Sequence, residues 1–355
     1  MRVKPTADTA DHLLPKFIEW QRHHETDLAH SADTVANYRT LMRQHALWLA
    51  ATKQTVHHMT PELLQRYAGE VLHARGVKPQ SRRVAVSALR GYYGYLKQHK
   101  VLPDNPALNL PPPKVGRPLP VAIPLGDAEK LMGACDMARF KGVRDVAILS
   151  VLLGCGVRVS GCTALNEGDL LFAMNEHGLE ELTLRLREKG KKERYVPAPD
   201  ETRLLLRAYL GHPELDAIDR TLANGDKVLF VNLHNSTVRA FDHRGERRRM
   251  NGEAIWKMLQ RLGARAKVDS RYLHPHAFRH LYGAELMEGD TNLLVSQMLM
   301  GHGDSKTTEI YSHIAYRKLR SASEKANPFR RIKTPATGLA ALLRAQKGPT
   351  RPAAG

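Results

Sequence analysis

Four short segments in the second half of the chain carry side chains suited to chemistry on a phosphate. The segments are GCGVRVSG, REKGKKER, HPHAFRHL and MGHGDSKTTEIYSH, and the side chains are Arg158, Lys189, His276, Arg279, His302 and Tyr311. Arginine pairs bind the non-bridging oxygens of a phosphodiester and offset charge in the transition state. A tyrosine attacks phosphorus, a histidine takes its proton, and a lysine protonates the departing oxygen. Together they predict phosphoryl transfer through a covalent phosphotyrosine.

Each segment taken alone also fits a structural role. A tyrosine such as Tyr311 is usually a core residue with its hydroxyl at the edge of the core. The lysine-rich segment is typical of a solvated hairpin, and Lys191 and Lys192 are alternatives to Lys189. We interpret His280 as a structural hydrogen-bonding residue. The chemical interpretation therefore depends on the four segments occurring together.

The sequence gives little sign of a metal site or cofactor. No acidic cluster provides a magnesium site, which disfavours a nuclease that uses two metal ions. The three cysteines, Cys135, Cys155 and Cys162, form no Cys-x-x-Cys motif, so neither a disulfide framework nor a zinc site is predicted. We expect no cofactor.

The chain carries a large positive charge. Its 355 residues include 54 Lys and Arg against 36 Asp and Glu, for a formal charge of +18 and a pI near 9.9. This balance indicates a polyanionic partner, with nucleic acid favoured over an anionic membrane surface. The N-terminus lacks an apolar signal core, and no run of residues reaches membrane-spanning length. These features predict a cytoplasmic protein whose partner is a nucleic acid.

The four segments, in this order, resemble the motifs of the tyrosine recombinase (phage integrase) family, most closely its Xer-like and mobile-element members. GVRVSG is similar to the family's Gly-Leu-Arg-x-Ser-Glu box, and EKGKKER is similar to its hairpin box. HAFRH matches the His-x-x-Arg-His box, and MGHGDSKTTEIY matches the Leu-Gly-His box that ends in a tyrosine. The resemblance covers roughly residues 10 to 328.

The resemblance implies that three side chains bind the scissile phosphate. Arg158 and Arg279 contact it as a pair, and His302 donates a hydrogen bond to one of its oxygens. The family usually has an acidic residue three positions after the first arginine, where this chain has Gly161. Because that carboxylate normally supports the site, we expect its absence to affect rigidity and histidine protonation without abolishing the chemistry.

The resemblance also assigns the nucleophile and the proton-transfer groups. Tyr311 attacks and leaves a 3′-phosphotyrosyl link with a free 5′-hydroxyl. Lys189 is the general acid toward the 5′-oxygen, and His276 is the acid/base. The same hydroxyl on a partner strand reverses the step, so no nucleotide is needed.

The implied function is site-specific breaking and rejoining of DNA in integration, excision or resolution. The implied partners are double-stranded target sites and further copies of the chain, as a homotetramer on two sites and a monomer when free. An accessory recombinase is a further candidate partner. The alternatives are a catalytically impaired DNA-binding regulator and a type IB topoisomerase-like relaxing enzyme. An RNA-binding protein is disfavoured because aromatic residues make up only 6% of the chain.

The elements that must position these groups are mostly helical. The pattern and the resemblance predict a mainly α protein with a small antiparallel sheet, an α+β class. The expected organisation is a SAM-like helical DNA-binding domain at 8–105, a proline-rich basic linker at 106–122, a catalytic domain at 123–328, and a basic C-terminal tail at 329–355.

Apolar residues at helical spacing predict helices in the first domain at about 32–50 and 81–100, with another beginning after Thr60. The last helix and the linker present basic residues for which we expect DNA contact, with a solvated surface as the alternative. These residues are Arg82, Arg83, Arg90, Lys97, Lys114 and Arg117.

The catalytic domain is predicted to mix helices and strands. An apolar helix is expected at 144–153. Alternating Leu182, Leu184 and Leu186 predict a strand that returns at the sequence RYVP. A further short strand is expected at 228–231. Helices are expected at about 252–268 and from His276 onward.

Overall fold

The computed structural model describes residues 13–116, 121–187, 193–234, 238–288, 293–301 and 314–338. Four of the predicted functional residues lie outside these ranges, namely Arg117, Lys189, His302 and Tyr311. The chain divides into two compact units, Met1–Pro118 and Leu119–Gly355. The predicted boundaries of linker, catalytic domain and tail stay predictions.

The N-terminal unit is helical. Its helices are α1 Phe17–Thr26, α2 Ala32–Ala51, α3 Pro61–Arg66 and α4 Pro79–Gln98. A π-helical turn, Tyr67–Val71, and a short helix, Leu72–Ala74, follow α3. The side-chain oxygens of Ser31 and Thr60 accept hydrogen bonds from the first turns of α2 and α3. These caps explain where the two helices begin, and the predicted helices of this region are confirmed.

Aromatic rings fill the centre of the N-terminal unit. Trp20 and Tyr92 meet edge to face with their ring centroids 5.4 Å apart, and both are buried. His45 is fully buried against the ring of Tyr67, with its Nε2 atom 2.9 Å from the hydroxyl of Tyr93. Burial lowers the pKa of His45 to about 3, so this imidazole is neutral in the fold.

The C-terminal unit is built from helices around one small sheet. The elements up to the sheet are α5 Leu125–Gly133, α6 Phe140–Gly154, α7 Val159–Ala164, β1 Leu170–Met174, β2 Glu180–Arg187 and β3 Glu193–Ala198. The elements after it are α8 Asp200–Leu210, α9 Pro213–Asp216, α10 Gly252–Ala266, α11 Pro275–Glu288, α12 Leu293–Met300 and α13 Ile314–Lys325. This confirms the predicted α+β class.

The three strands form an antiparallel sheet in the order β1-β2-β3. The predicted β2–β3 pair is confirmed, with Leu186 opposite Arg194. β1 was not predicted, because its sequence LLFAM lacks clear alternation and Met174 is exposed. The predicted strand at 228–231 is wrong, since Val228 and Val231 form isolated bridges instead.

Helix α6 lies at the centre of the C-terminal unit. Every residue of α6 except Lys141 is buried. Arg144 and Asp145 are paired within this core at 2.7 Å, and Arg144 also donates to the main-chain oxygen of Val231 at 2.9 Å. Arg261 of α10 contacts the same carboxylate. Both buried charges of α6 therefore have partners in the core.

The chain after α13 also packs against the C-terminal unit. Phe329, Ile332 and Ala336 are buried in the core, and Arg331 pairs with Glu285 of α11 at 2.9 Å. Asn327 donates to Glu201 of α8 at 3.2 Å. The start of the predicted basic tail is therefore bound to the core by apolar and polar contacts.

Candidate active site

A glycine turn after α6 positions the first predicted arginine. The backbone of Gly156 has φ +57°, a left-handed conformation that favours glycine. A Cβ at this position would lie 2.2 Å from Cδ1 of Tyr282, a buried residue of α11. The chain then turns into α7 with Arg158 as its N-terminal flanking residue. The close approach to Tyr282 thus sets where Arg158 enters the site.

Helix α11 positions the second predicted arginine. Arg279 is only 4% exposed, because α11 packs against α6 and the surrounding core. Its Nη1 atom donates to the main-chain oxygen of Gly156 at 2.5 Å, and its Nη2 atom donates to that of Met300. These two bonds tie α11 to both the glycine turn and the end of α12.

Three arginines from distant segments donate to three consecutive carbonyls at the C-terminal end of α12. Arg158 donates to Gly301 at 3.2 Å. Arg279 donates to the preceding carbonyl, and Arg194 of β3 donates to the one before that. The last carbonyls of a helix lack intrahelical partners and carry partial negative charge, so cationic donors stabilise them. The next residue in the sequence is His302.

His276 lies on the first turn of α11, three residues before Arg279. Partial burial of the ring, together with His274, Arg279 and Arg158, holds its pKa below the usual value. A lowered pKa leaves the imidazole neutral near pH 7 and able to accept a proton. The ring centroid of His280 is 6.4 Å from that of His276.

The sheet presents the connection that contains the predicted lysine. Arg187 of β2 lies opposite Glu193 of β3, and Lys189 falls between them, outside the described residues. In β2, Arg185 and Arg187 both bind the buried carboxylate of Asp169, at 3.0 and 2.7 Å. These ion pairs fix the end of β2 against the turn that precedes β1.

The unusual Gly161 lies in α7, in open space. A Cβ built on it would have no heavy atom within 4 Å. The fold therefore has room for a larger side chain here, and no other described side chain occupies the place where the family's carboxylate would start.

The structure thus brings together Arg158, His276 and Arg279, and it places them next to the chain that leads to His302. Two further residues contribute that sequence reasoning did not single out, Gly156 and Arg194. The signal for Gly156 was the GCG turn before the first arginine. The signal for Arg194 was its place directly after the lysine-rich hairpin.

Other features of the described residues bear on cofactors and membranes. No group of three His, Cys, Asp or Glu side chains among them is arranged to hold a metal ion. Cys135, Cys155 and Cys162 are free thiols, and all three are buried. In the same part of the chain, no helix has the length and apolar character needed to cross a membrane.

The residues predicted to contact DNA have different surroundings in the N-terminal unit. Arg82 donates to the main-chain oxygen of Gly69 at 3.3 Å, and Arg90 donates to that of Leu110 at 2.7 Å. Lys97 pairs with Asp104 at 3.0 Å.

The side chains of Arg83 and Lys114 differ from these three, and each is exposed to solvent. The structure gives neither cation a hydrogen-bond or ion-pair partner among the described residues, unlike Arg82, Arg90 and Lys97.

Comparison with known proteins defines the class to which this fold and site belong. Residues 123–318 match the phage integrase family, and residues 17–100 match the N-terminal SAM-like domain of phage integrases. The first match covers more than half of the chain, so the chain belongs to the phage integrase family. It is a site-specific tyrosine recombinase.

Among curated relatives, tyrosine recombinase XerD of Pseudomonas putida is 32% identical over 256 residues, which are 72% of this chain and 78% of that protein. XerD of Proteus mirabilis is 31% identical over 300 residues, covering 84% of this chain and 88% of that protein. The solved structure of XerH recombinase bound to difH substrate, a pre-cleavage complex, has a TM-score of 0.60 at 15% identity. It covers 90% of this chain and 98% of that chain, and at this identity it shows the shared fold alone.

Proposed function

We propose that this recombinase cleaves one strand of duplex DNA with Tyr311 as the nucleophile and holds it as a 3′-phosphotyrosyl intermediate. The observation that carries the proposal is the convergence of Arg158 and Arg279 on the carbonyls directly before His302. Two guanidinium groups from segments 121 residues apart come to adjacent carbonyls of one helix end, which supports a phosphate site beside them. In a partly dry site, such paired donors stabilise the charge of a pentacoordinate phosphorus.

In the proposed step, the Tyr311 oxygen forms a bond to phosphorus while the bond from phosphorus to the 5′-oxygen breaks. His276 takes the tyrosine proton, for which its lowered pKa suits it. Lys189 gives a proton to the departing 5′-oxygen. His302 donates a hydrogen bond to a non-bridging oxygen. Attack by a 5′-hydroxyl from a partner strand reverses each transfer and releases the tyrosine.

The proposed partners follow from the charge and the family. Duplex DNA is the substrate, and the +18 formal charge favours binding to its phosphates. Arg83 and Lys114 are the best-placed described candidates for backbone contact in the N-terminal unit. We place the reaction in the cytoplasm, in a homotetramer on two sites that assembles from monomers, with an accessory recombinase as a further candidate partner.

A suicide-substrate assay tests the nucleophile. Duplexes from the DNA that flanks the gene, each nicked just 3′ of one candidate cleavage position, trap the adduct because the short fragment that carries the new 5′-hydroxyl diffuses away. We expect a protein band of lower mobility on a denaturing gel, and its absence with Tyr311→Phe, which removes only the nucleophilic oxygen. An adduct of equal yield with Tyr311→Phe would contradict the assignment.

A second pair of variants tests the phosphate contacts. Arg279→Gln and Arg158→Gln should slow adduct formation by about 10²-fold or more, as loss of a transition-state hydrogen-bond donor does elsewhere. Arg265→Gln, a substitution at an exposed position of α10, serves as the matched control for loss of one positive charge. Equal effects of the three substitutions would indicate a general electrostatic contribution in place of specific phosphate binding.

A further inference from the structure

Arg194 stands at the start of β3, where the chain returns from the lysine-rich connection. It lies opposite Leu186 of β2, and its side chain is half-buried. The Nη1 atom donates to the main-chain oxygen of Leu299, in the last turn of α12. This hydrogen bond joins the base of the β2–β3 hairpin to the helix that leads to His302.

The same helix end also holds the two arginines assigned to the phosphate. The carbonyls of the two residues after Leu299 accept hydrogen bonds from Arg279 and Arg158. Arg279 has a separate bond to Gly156 on the opposite side, at 2.5 Å. Because the phosphate arginines have these contacts of their own, loss of Arg194 would remove this bond between the hairpin and α12 and leave the two arginines in place.

The sheet contacts the chain on the far side of residues 302–313 as well. The hydroxyl of Ser323 in α13 donates to the main-chain oxygen of Pro197 in β3 at 3.1 Å. Arg320 of α13 pairs with Glu181 of β2 at 3.0 Å. The two strands that flank the lysine connection are therefore bonded to the chain both before and after this segment.

We propose that Arg194 is a positioning residue for protonation of the leaving group. Its bond to the Leu299 carbonyl fixes the strand that carries the Lys189 connection relative to the turn that holds the two arginines. A proton donor must come within about 2.6–3.2 Å of its acceptor, so a hairpin that lacks the bond to α12 holds its lysine less precisely for proton transfer. The inference rests on the proposed function, in which Lys189 is the general acid.

Sulfur substitution separates protonation from the other parts of the step. With an ordinary substrate, the electron pair of the breaking bond goes to the 5′-oxygen, which takes a proton from Lys189. When sulfur replaces that bridging oxygen, the bond from phosphorus to sulfur breaks and the thiolate leaves without a proton, because thiols are far more acidic than alcohols. A residue that acts only through the general acid is then no longer needed.

The experiment measures single-turnover adduct formation by the full chain on the nicked duplex defined above, with oxygen or sulfur at the 5′-bridging position. The variants are Arg194→Gln, Arg194→Lys and Lys189→Ala. Tyr195→Phe is the matched control on the same strand, since Tyr195 is exposed and its hydroxyl contacts Glu193 at 3.1 Å. DNA binding is measured in parallel.

We expect Arg194→Gln to slow cleavage of the oxygen substrate by about tenfold or more, as loss of a positioning contact does. Its cleavage of the sulfur substrate and its DNA binding should stay close to wild type. Arg194→Lys should fall between, because lysine keeps the positive charge but lacks the planar, rigid donor geometry of the guanidinium. Tyr195→Phe should match wild type on both substrates.

Equal losses on the two substrates, or no loss on either, would overturn the proposal. If Arg194→Gln fails to fold, the oxygen-to-sulfur ratio of Arg194→Lys decides the question. Failure of sulfur to restore Lys189→Ala, with an active wild type, would overturn the role of the lysine and with it this inference. Absence of any adduct with wild type would instead overturn the proposed function.

Discussion

Gly156 is the residue at which the fold and the candidate active site depend most directly on each other. Its φ of +57° costs an alanine about 1–2 kcal/mol. The added methyl would lie 2.2 Å from a ring carbon of Tyr282, which is fully buried. Such overpacking costs about 1–3 kcal/mol. We therefore expect Gly156→Ala to lower the free energy of unfolding by about 2–5 kcal/mol.

The same substitution should also impair catalysis. The Gly156 carbonyl accepts a hydrogen bond from Arg279, so a backbone shift that relieves the clash moves this acceptor. A displacement of about 1 Å in a positioned catalytic group costs about 10²-fold in rate. We expect a loss of this order in suicide-substrate cleavage, measured at a temperature where the variant is folded.

Gly161→Ala provides the matched control, five residues further along the chain. Gly161 lies within a helix with open space around its Cβ position, so alanine should stabilise the protein by about 0.5–1 kcal/mol. Urea unfolding of both variants measures the contrast. The reasoning is refuted if Gly156→Ala unfolds at the same denaturant concentration as wild type, or if the two alanine variants behave alike.

Three further predictions concern buried charge and protonation. The pKa of His45 is about 3 in the fold and 6.5 for an unperturbed histidine, as in the unfolded chain. The contribution of His45 to the free energy of unfolding is therefore present above pH 6.5 and is lost on acidification, by about 2 kcal/mol between pH 7 and pH 5. Urea unfolding at the two pH values checks this, and His45→Gln should weaken the dependence. Asp145→Ala leaves Arg144 buried without its carboxylate and should cost about 3–5 kcal/mol in the same assay, with a smaller loss for Asp145→Asn. In the pH profile of the cleavage rate, the lowered pKa of His276 places the fall toward acid below pH 6.5. His276→Gln should lower the plateau of this profile by about 10²-fold or more and remove the fall toward acid. An unchanged pH profile would exclude this histidine as the base.

Local sequence was sufficient for most of the helices and for the hairpin. The apolar spacing of α2, α4 and α6 and the alternation in β2 are visible without the fold, because each depends on neighbours within a few residues. β1 escaped prediction because its pairing with β2 decides its conformation, and its sequence LLFAM alternates too weakly. The predicted strand at 228–231 was wrong because a short apolar sequence has the same pattern whether it forms a strand or isolated bridges.

The chemistry of the site was also visible in the sequence, as residue types in a fixed order. The sequence determined which side chains are present, the resemblance to a family, and the positive charge that favours DNA. Only the tertiary structure decided that Arg158, Arg279 and Arg194 donate to consecutive carbonyls at one helix end. It also decided that Gly156 is held against Tyr282. Most of these contacts join residues more than one hundred positions apart, and their geometry follows from how the helices and the sheet pack, which no local pattern encodes.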